Sequence, residues 1–125
     1  MIQEEKDLLL RDLCARLPYG VKTGRQNCFN ADKIVVEVLS EILDSYEGLN
    51  TMIEKLNLRP FLRPMSSMTD EEKEEYDMLQ TYPGFKTNHT DLTDMYDWLN
   101  KNMFDYRGLI PMGLALEAPK GMYKQ

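Results

Sequence analysis

The side chains most suggestive of metal chemistry fall in one acidic segment near the end of the chain. His89, Asp91, Asp94 and Asp97 lie close together in the sequence, and residues three apart become neighbours if the segment is helical. Imidazole and carboxylate groups of this kind can hold a divalent ion. However, acids along one helix usually form a solvated face, and no second carboxylate-rich motif supplies the opposite side. We therefore predict no metal and no cofactor.

A nucleophilic site is equally incomplete in the sequence. Ser66 and Ser67 precede an acidic run, where an active serine could lie, but a serine needs a base, and the chain has one histidine and no GxSxG motif. Cys14 and Cys28 are too far apart in the sequence for a zinc motif, and we expect both to be reduced. These observations predict a protein that is not an enzyme.

The overall charge restricts the possible partners. The 125 residues carry a formal net charge of −6, and an acidic surface repels the phosphates of nucleic acid. The first residues, MIQEEKDLLL, lack the basic start and apolar stretch of a signal peptide, and no segment resembles a membrane span. We expect one domain, residues 1–125, that resides in the cytoplasm and does not associate with membranes.

A contact surface for another protein is the functional prediction that remains. The segment RPFLRP, residues 59–64, is predicted to be extended because each proline restricts the residue before it. Its arginines could grip a carboxylate or a phosphate, and aromatic residues follow later in the chain. The predicted binding residues are Arg59, Phe61, Arg63, Trp98, Phe104, Tyr106 and Arg107. The first alternative is nucleic-acid association through a local patch of the three arginines, and the second is a metal-dependent enzyme around His89, Asp91 and Asp94.

Three helices are predicted along the chain. An apolar stripe that includes Leu9 and Leu13 predicts a helix over 3–16, which Pro18 ends. Thr69 and Glu72 have the spacing of a capping box, which predicts a helix over 70–81. A further stripe predicts a helix over 91–102. Glycines and prolines break up residues 104–123, which are predicted to form an irregular tail with at most a short helix over 110–117.

The segment 33–46, KIVVEVLSEILDSY, carries two conflicting patterns. Apolar residues follow helical spacing through the segment, and Gly48 is a candidate helix stop. The β-branched residues Ile34, Val36 and Val38 alternate, however, as they would in a strand. Residues 51–58 are similarly ambiguous between a short helix and a strand.

Three pieces of the chain resemble a family of short, uncharacterised proteins that recur in gut bacterial genomes and their prophage-like regions. These pieces are DLLLRDLCARLPYGVK (7–22), RPFLRPMSSMTDEEKEEY (59–76) and YDWLNKNMFDYRGLIPMGLALEAPKGMY (96–123). The resemblance implies a small β unit between the first two pieces and carries over no activity and no functional residues. With it, the prediction is an α+β domain with an N-terminal helix, a small antiparallel β unit, two further helices and an irregular tail. The strands are expected near 21–22, 34–39, 42–46 and 53–58, and an all-α fold is the alternative.

Together with the patterns above, this resemblance implies an accessory protein of a prophage or other mobile element. Such a protein would act by binding another protein, whose identity the sequence leaves open.

Overall fold

A computed structural model of the chain describes residues 1–30, 32–81 and 89–123, with side chains for all of these except 81 and 89–92. The described residues form five α-helices and four strands. In chain order these are α1 (Gln3–Arg16), β1 (Lys22–Gln26), β2 (Ile34–Val38), α2 (Leu39–Ile42), α3 (Tyr46–Lys55), β3 (Arg59–Leu62), α4 (Asp70–Thr81), α5 (His89–Lys101) and β4 (Leu116–Glu117). The predicted α+β class is confirmed, and the sheet excludes the all-α alternative.

The four strands form one mixed sheet in the order β2-β1-β3-β4. β1 pairs antiparallel with both β2 and β3, and it places Gly24 opposite Val36 on one side and Arg59 on the other. β3 pairs parallel with β4, with Phe61 opposite Leu116. The antiparallel unit in the middle of the chain is therefore as predicted, and the fourth strand comes from the segment predicted to be irregular.

Two of the predicted strands are wrong. Residues 42–46 contain the end of α2, a short connection and the start of α3, and residues 53–58 are the end of α3 followed by coil, with no strand. The alternating pattern holds only as far as Val38, and helical spacing begins at Leu39. Gly48 does not end a helix but lies in the first turn of α3, where its N–H donates to the hydroxyl of the N-cap Ser45 at 2.9 Å. A side chain at Gly48 would collide with the Asp44 carboxylate beside this cap.

The other helices follow the sequence patterns. α1 has the predicted bounds, and α4 begins with the predicted capping box. The Glu72 N–H donates to the Thr69 hydroxyl at 3.2 Å, and the Thr69 N–H donates to the Glu72 carboxylate at 2.9 Å. The helix predicted over 91–102 is α5. The tail is irregular, as predicted, except for β4, and residues 110–117 form turns and this strand and no helix.

The core lies on one side of the sheet. Thr23 and Leu62, which point to that side, are fully buried, and Leu8 of α1 packs against the cluster that contains Leu62. Leu9 and Leu13 of α1 belong to a second buried cluster. The other members of that cluster are Leu10, Val21, Leu39, Leu49, Ile53, Leu58 and Met103. Burying this apolar surface is the main force that stabilises the fold.

The hydroxyl of Tyr123 bridges the backbones of β1 and β3 at the point where their direct pairing ends. It accepts a hydrogen bond from the Lys22 N–H at 2.9 Å and donates one to the Phe61 carbonyl at 2.7 Å. Burial raises the pKa of Tyr123 to about 12, because the tyrosinate form would lose its hydration. The hydroxyl thus continues the β1–β3 ladder beyond the backbone pair of Thr23 and Pro60.

We expect Tyr123→Phe to lower the free energy of unfolding by about 1–2 kcal/mol near neutral pH, since the Lys22 N–H loses its acceptor. Because the folded-state pKa of Tyr123 is raised above the unfolded value of 10, its contribution is complete below pH 10 and is lost as the pH rises towards about 12. Urea unfolding of the two proteins at neutral and alkaline pH measures this difference. The exposed Tyr46 provides the control, because Tyr46→Phe should change stability little at either pH.

Candidate functional site

Five of the seven predicted binding residues lie close together and make contacts within the fold: Arg63, Trp98, Phe104, Tyr106 and Arg107. Trp98 stacks on Phe104 with ring centroids 5.5 Å apart, and the Arg63 guanidinium lies 4.2 Å from the centroid of the Phe104 ring. The Arg107 guanidinium lies 4.9 Å from the centroid of the Tyr106 ring. These contacts are attractive because a cation over a ring face meets the negative side of the π system.

Arg63 is committed to an internal ion pair. Its two terminal nitrogens donate to the two carboxylate oxygens of Glu72 at 2.8 and 2.7 Å. The Arg63 hydrogen bond lowers the pKa of the Glu72 carboxyl more than any other contact, against an opposing effect of burial. The Arg63 backbone also bonds to Met103 and Asp105, so this residue fastens the end of α5 to the segment after β3.

Arg107 belongs to a second internal network. Asp12 and Arg16 of α1 are both fully buried and form an ion pair at 3.0 Å. The second carboxylate oxygen of Asp12 accepts from Arg107 at 3.1 Å, and Arg16 also donates to the Phe104 carbonyl at 2.6 Å. This network ties α1 to the segment that follows α5.

Burial limits how these residues could meet a partner, and the contact surface made of the seven residues stays a prediction. Phe104 is 0% exposed and Arg63 is 3% exposed, so neither can contact a partner in this conformation. Trp98, Tyr106 and Arg107 are only partly exposed. Aromatic and arginine residues in a sequence fit an interface and a core equally well, and only the tertiary structure separates the two cases.

Arg59 and Phe61, the other two predicted residues, lie on the side of the sheet that faces away from the core. We call this side the outer face. Opposite residues in paired strands share a face, so Ile34 and Val36 of β2, Gly24 of β1 and Leu116 of β4 also belong to it. The full set of strand residues on the outer face is Lys22, Gly24, Gln26, Ile34, Val36, Val38, Arg59, Phe61 and Leu116.

Gly24 lets the apolar side chains of the outer face meet. A Cβ at this position would lie 2.9 Å from Leu116 Cδ1, 3.1 Å from Phe61 Cε2 and 3.2 Å from Ile34 Cγ2. These distances are shorter than ordinary van der Waals contact, so the three side chains occupy the space that a side chain on β1 would need. The outer face therefore carries one continuous apolar patch across all four strands.

Much of this patch is exposed to solvent. Ile34 is 56% exposed, Val36 50% and Leu116 37%, while Phe61 beneath them is 9% exposed. Phe29, in the connection between β1 and β2, is 98% exposed. These exposed residues are not among the predicted binding residues, although the alternation of Ile34, Val36 and Val38 was the available signal. That pattern alone does not show that Ile34 and Val36 stay about half exposed in the folded chain.

The charged side chains that share the outer face are cations. Lys22 and Arg59 lie on it, whereas Glu37 and Glu117 alternate onto the opposite face. The Arg59 guanidinium donates to the Leu58 carbonyl at 2.8 Å, and burial lowers the pKa of Arg59. An apolar and cationic face on a chain of net charge −6 is a local reversal of the overall charge.

The other candidate sites have ordinary structural surroundings. Within residues 1–30, 32–81 and 89–123, no group of three or more His, Cys, Asp or Glu side chains could hold a metal ion. The side chains of His89 and Asp91 lie outside the described set. Ser67 donates its hydroxyl to the Pro64 carbonyl at 2.7 Å, as turn-forming serines do. Both cysteines are unpaired and exposed.

Comparison with known proteins adds no relative. No family model, no curated protein and no solved structure matches this chain. No helix within the described part of the chain is long and apolar enough to cross a membrane.

Proposed function

We propose that this chain is a non-enzymatic accessory protein that binds another protein through the outer face of its sheet. The observation that carries the proposal is the exposed apolar patch of Ile34, Val36 and Leu116 over Gly24. Large apolar side chains that remain exposed side by side mark interaction sites more often than isolated ones do. The resemblance to short proteins of prophage-like regions supports a role in a mobile element, with the cytoplasm as its compartment.

The charges around the patch suggest the chemistry of the partner. Lys22 and Arg59 flank the apolar side chains, so a partner surface with apolar residues and flanking carboxylates would match both features. Complementary charges at the rim of an interface increase the association rate and the specificity more than the affinity. The apolar residues would supply most of the affinity, because burying them removes apolar area from water.

Nucleic-acid binding has less support from the contacts of the three arginines. Arg63 and Arg107 are engaged with Glu72 and Asp12, so within the described residues only Arg59, which donates to backbone carbonyls, would face a phosphate. An arginine that neutralises an internal carboxylate has little charge left to release counterions from a phosphate backbone. Nucleic-acid binding is therefore the alternative to protein binding.

The proposal predicts that one protein of the native host is retained by the tagged chain and is lost when the patch is made polar. Leu116→Ser and Ile34→Ser should each weaken retention by about tenfold or more, because each removes apolar surface that the complex would bury. Met78→Ser on α4 is the matched control, since Met78 is 55% exposed and Ile34 is 56% exposed.

The same pull-down also tests the alternatives. A protein that all three variants retain equally would contradict the outer face as the binding site. Recovery of nucleic acid that washes off with salt would replace the proposal with the arginine-based alternative. Circular dichroism of each variant checks that the fold is retained.

A further inference from the structure

β2 has one side of its backbone without a strand partner among the described residues. Asn27 donates to the Lys33 carbonyl at 2.9 Å, and Leu39 donates to the Val21 carbonyl at 2.9 Å. Because backbone groups alternate in direction along a strand, Lys33, Val35 and Glu37 face β1. Ile34 and Val36 therefore direct their N–H and C=O groups away from the sheet. An open edge of this kind is a template for pairing with another chain.

We propose that β2 pairs antiparallel with β2 of a second copy of this chain, around a two-fold axis at Val35. In this register Ile34 of one copy exchanges both backbone hydrogen bonds with Val36 of the second copy. The two-fold axis repeats this exchange between Val36 of the first copy and Ile34 of the second. The N–H and C=O groups of Ile34 and Val36 therefore gain partners on both copies. The pairing joins two four-stranded sheets into one sheet of eight strands. The pairing uses backbone groups at the edge of the sheet, so it does not depend on the proposed binding of a partner at the outer face.

Charge complementarity selects this register. With the axis at Val35, Lys33 of each copy lies opposite Glu37 of the other copy, and directly opposite side chains have Cβ atoms about 5 Å apart. Within the described residues, the Lys33 ammonium makes no ion pair, and Glu37 uses only Oε1, for Arg25 at 2.8 Å. An axis at Glu37 would place the two Glu37 carboxylates opposite each other. An axis at Val36 would place Glu37 opposite Val35.

The apolar side chains also favour this pairing. Ile34 and Val36, both about half exposed, would lie opposite each other across the seam on the outer face. The same register brings the hairpin connection of the second copy, with its exposed Phe29, towards the far end of β2. A depression of about 300 Å³ lies there, lined by Lys22, Val36, Glu37, Val38, Glu41 and Ile42. The pairing is reciprocal, so it closes at two copies and leaves neither β2 edge open.

Sedimentation velocity over a range of protein concentrations tests the proposal. We expect the wild-type chain to reach twice the mass of 14.6 kDa as its concentration rises. Lys33→Glu places like charges opposite each other at both ends of the seam, so the dissociation constant should rise by about tenfold or more. Lys120→Glu makes the same charge change in the exposed tail and should leave the constant unchanged.

Mixing two variants tests the register itself. Glu37→Lys alone should also weaken the dimer, since it places Lys33 opposite a second lysine. A mixture of Lys33→Glu and Glu37→Lys restores opposite charges at both ends of the seam, so it should form a heterodimer more tightly than either variant alone forms a dimer. Circular dichroism checks that Glu37→Lys, which loses its bond to Arg25, still folds.

The mass of the wild-type chain and the behaviour of the variants can each overturn the pairing. A wild-type chain that stays at 14.6 kDa at every concentration overturns the proposal. A dimer that Lys33→Glu does not weaken, or a mixture that gains nothing, overturns the pairing through β2. A monomer that still retains its partner through Leu116 would refute this pairing and leave the proposed function intact.

Discussion

Replacing Asp12 by alanine is expected to lower the free energy of unfolding by about 3–5 kcal/mol, because it leaves an arginine buried without its counter-charge. Arg16 is 0% exposed, and its Nη1 already lacks an acceptor within the described residues. Asp12 is also the carboxylate that Arg107 contacts. A small domain is stable by only about 5–15 kcal/mol, so this single change should remove a large part of its stability.

Chemical denaturation at neutral pH measures the effect of Asp12→Ala. Asp12→Asn keeps the size of the side chain and removes its charge, so it separates the electrostatic loss from the loss of volume. Asp7→Ala on the same helix is the control, because Asp7 is exposed and accepts from Gln3 at the surface. A loss of stability no larger for Asp12→Ala than for Asp7→Ala would show that the buried network does not hold α1 to the segment that follows α5.

Arg63→Ala is expected to lower the free energy of unfolding by about 3 kcal/mol. The change removes both hydrogen bonds to Glu72 and the guanidinium that covers the Phe104 ring. Arg63→Lys should recover only part of the loss, because an ammonium cannot contact both carboxylate oxygens in the forked geometry. The ranking of the three proteins by urea unfolding tests this account, and equal stability of Arg63→Lys and the wild type would contradict it.

The same ion pair should make stability depend on acid pH. Arg63 lowers the pKa of Glu72 in the folded state below its unfolded value. The contribution of the pair is therefore present above the unfolded pKa of about 4.3 and is lost as the pH falls through the folded pKa. We expect Glu72→Gln to be less stable than the wild type at neutral pH and to approach it in acid. A difference that stays constant with pH would exclude the ion pair as its cause.

The elements that the sequence predicts well are those fixed by local contacts. The Thr69 capping box and the apolar stripe of α1 act within a few residues of the chain, and both appear in the structure. The middle of the chain was harder because two local patterns overlap at Val38. A strand ends there and a helix begins at the next residue, so each pattern is correct over part of the segment 33–46.

The functional residues were harder to predict for a different reason. Arg63 and Phe104 are far apart in the sequence, and their contact depends on the pairing of the segment after β3 with the end of α5. The exposed patch depends on β4, a strand of two residues that no periodic pattern could reveal. Whether a strand face is covered is a property of the whole fold, so the outer face was visible only in three dimensions.

Hydrogen exchange on the purified complex between this chain and its captured partner tests the central claim most directly. Our account predicts that the partner slows exchange of backbone amides around residues 34–36 and 116–118, at the two ends of the outer face. It also predicts unchanged exchange in α4. The same measurement on the chain alone at matched concentration separates the effect of the partner from that of self-pairing. Slowed exchange confined to α4 and α5 would contradict the outer face as the binding surface.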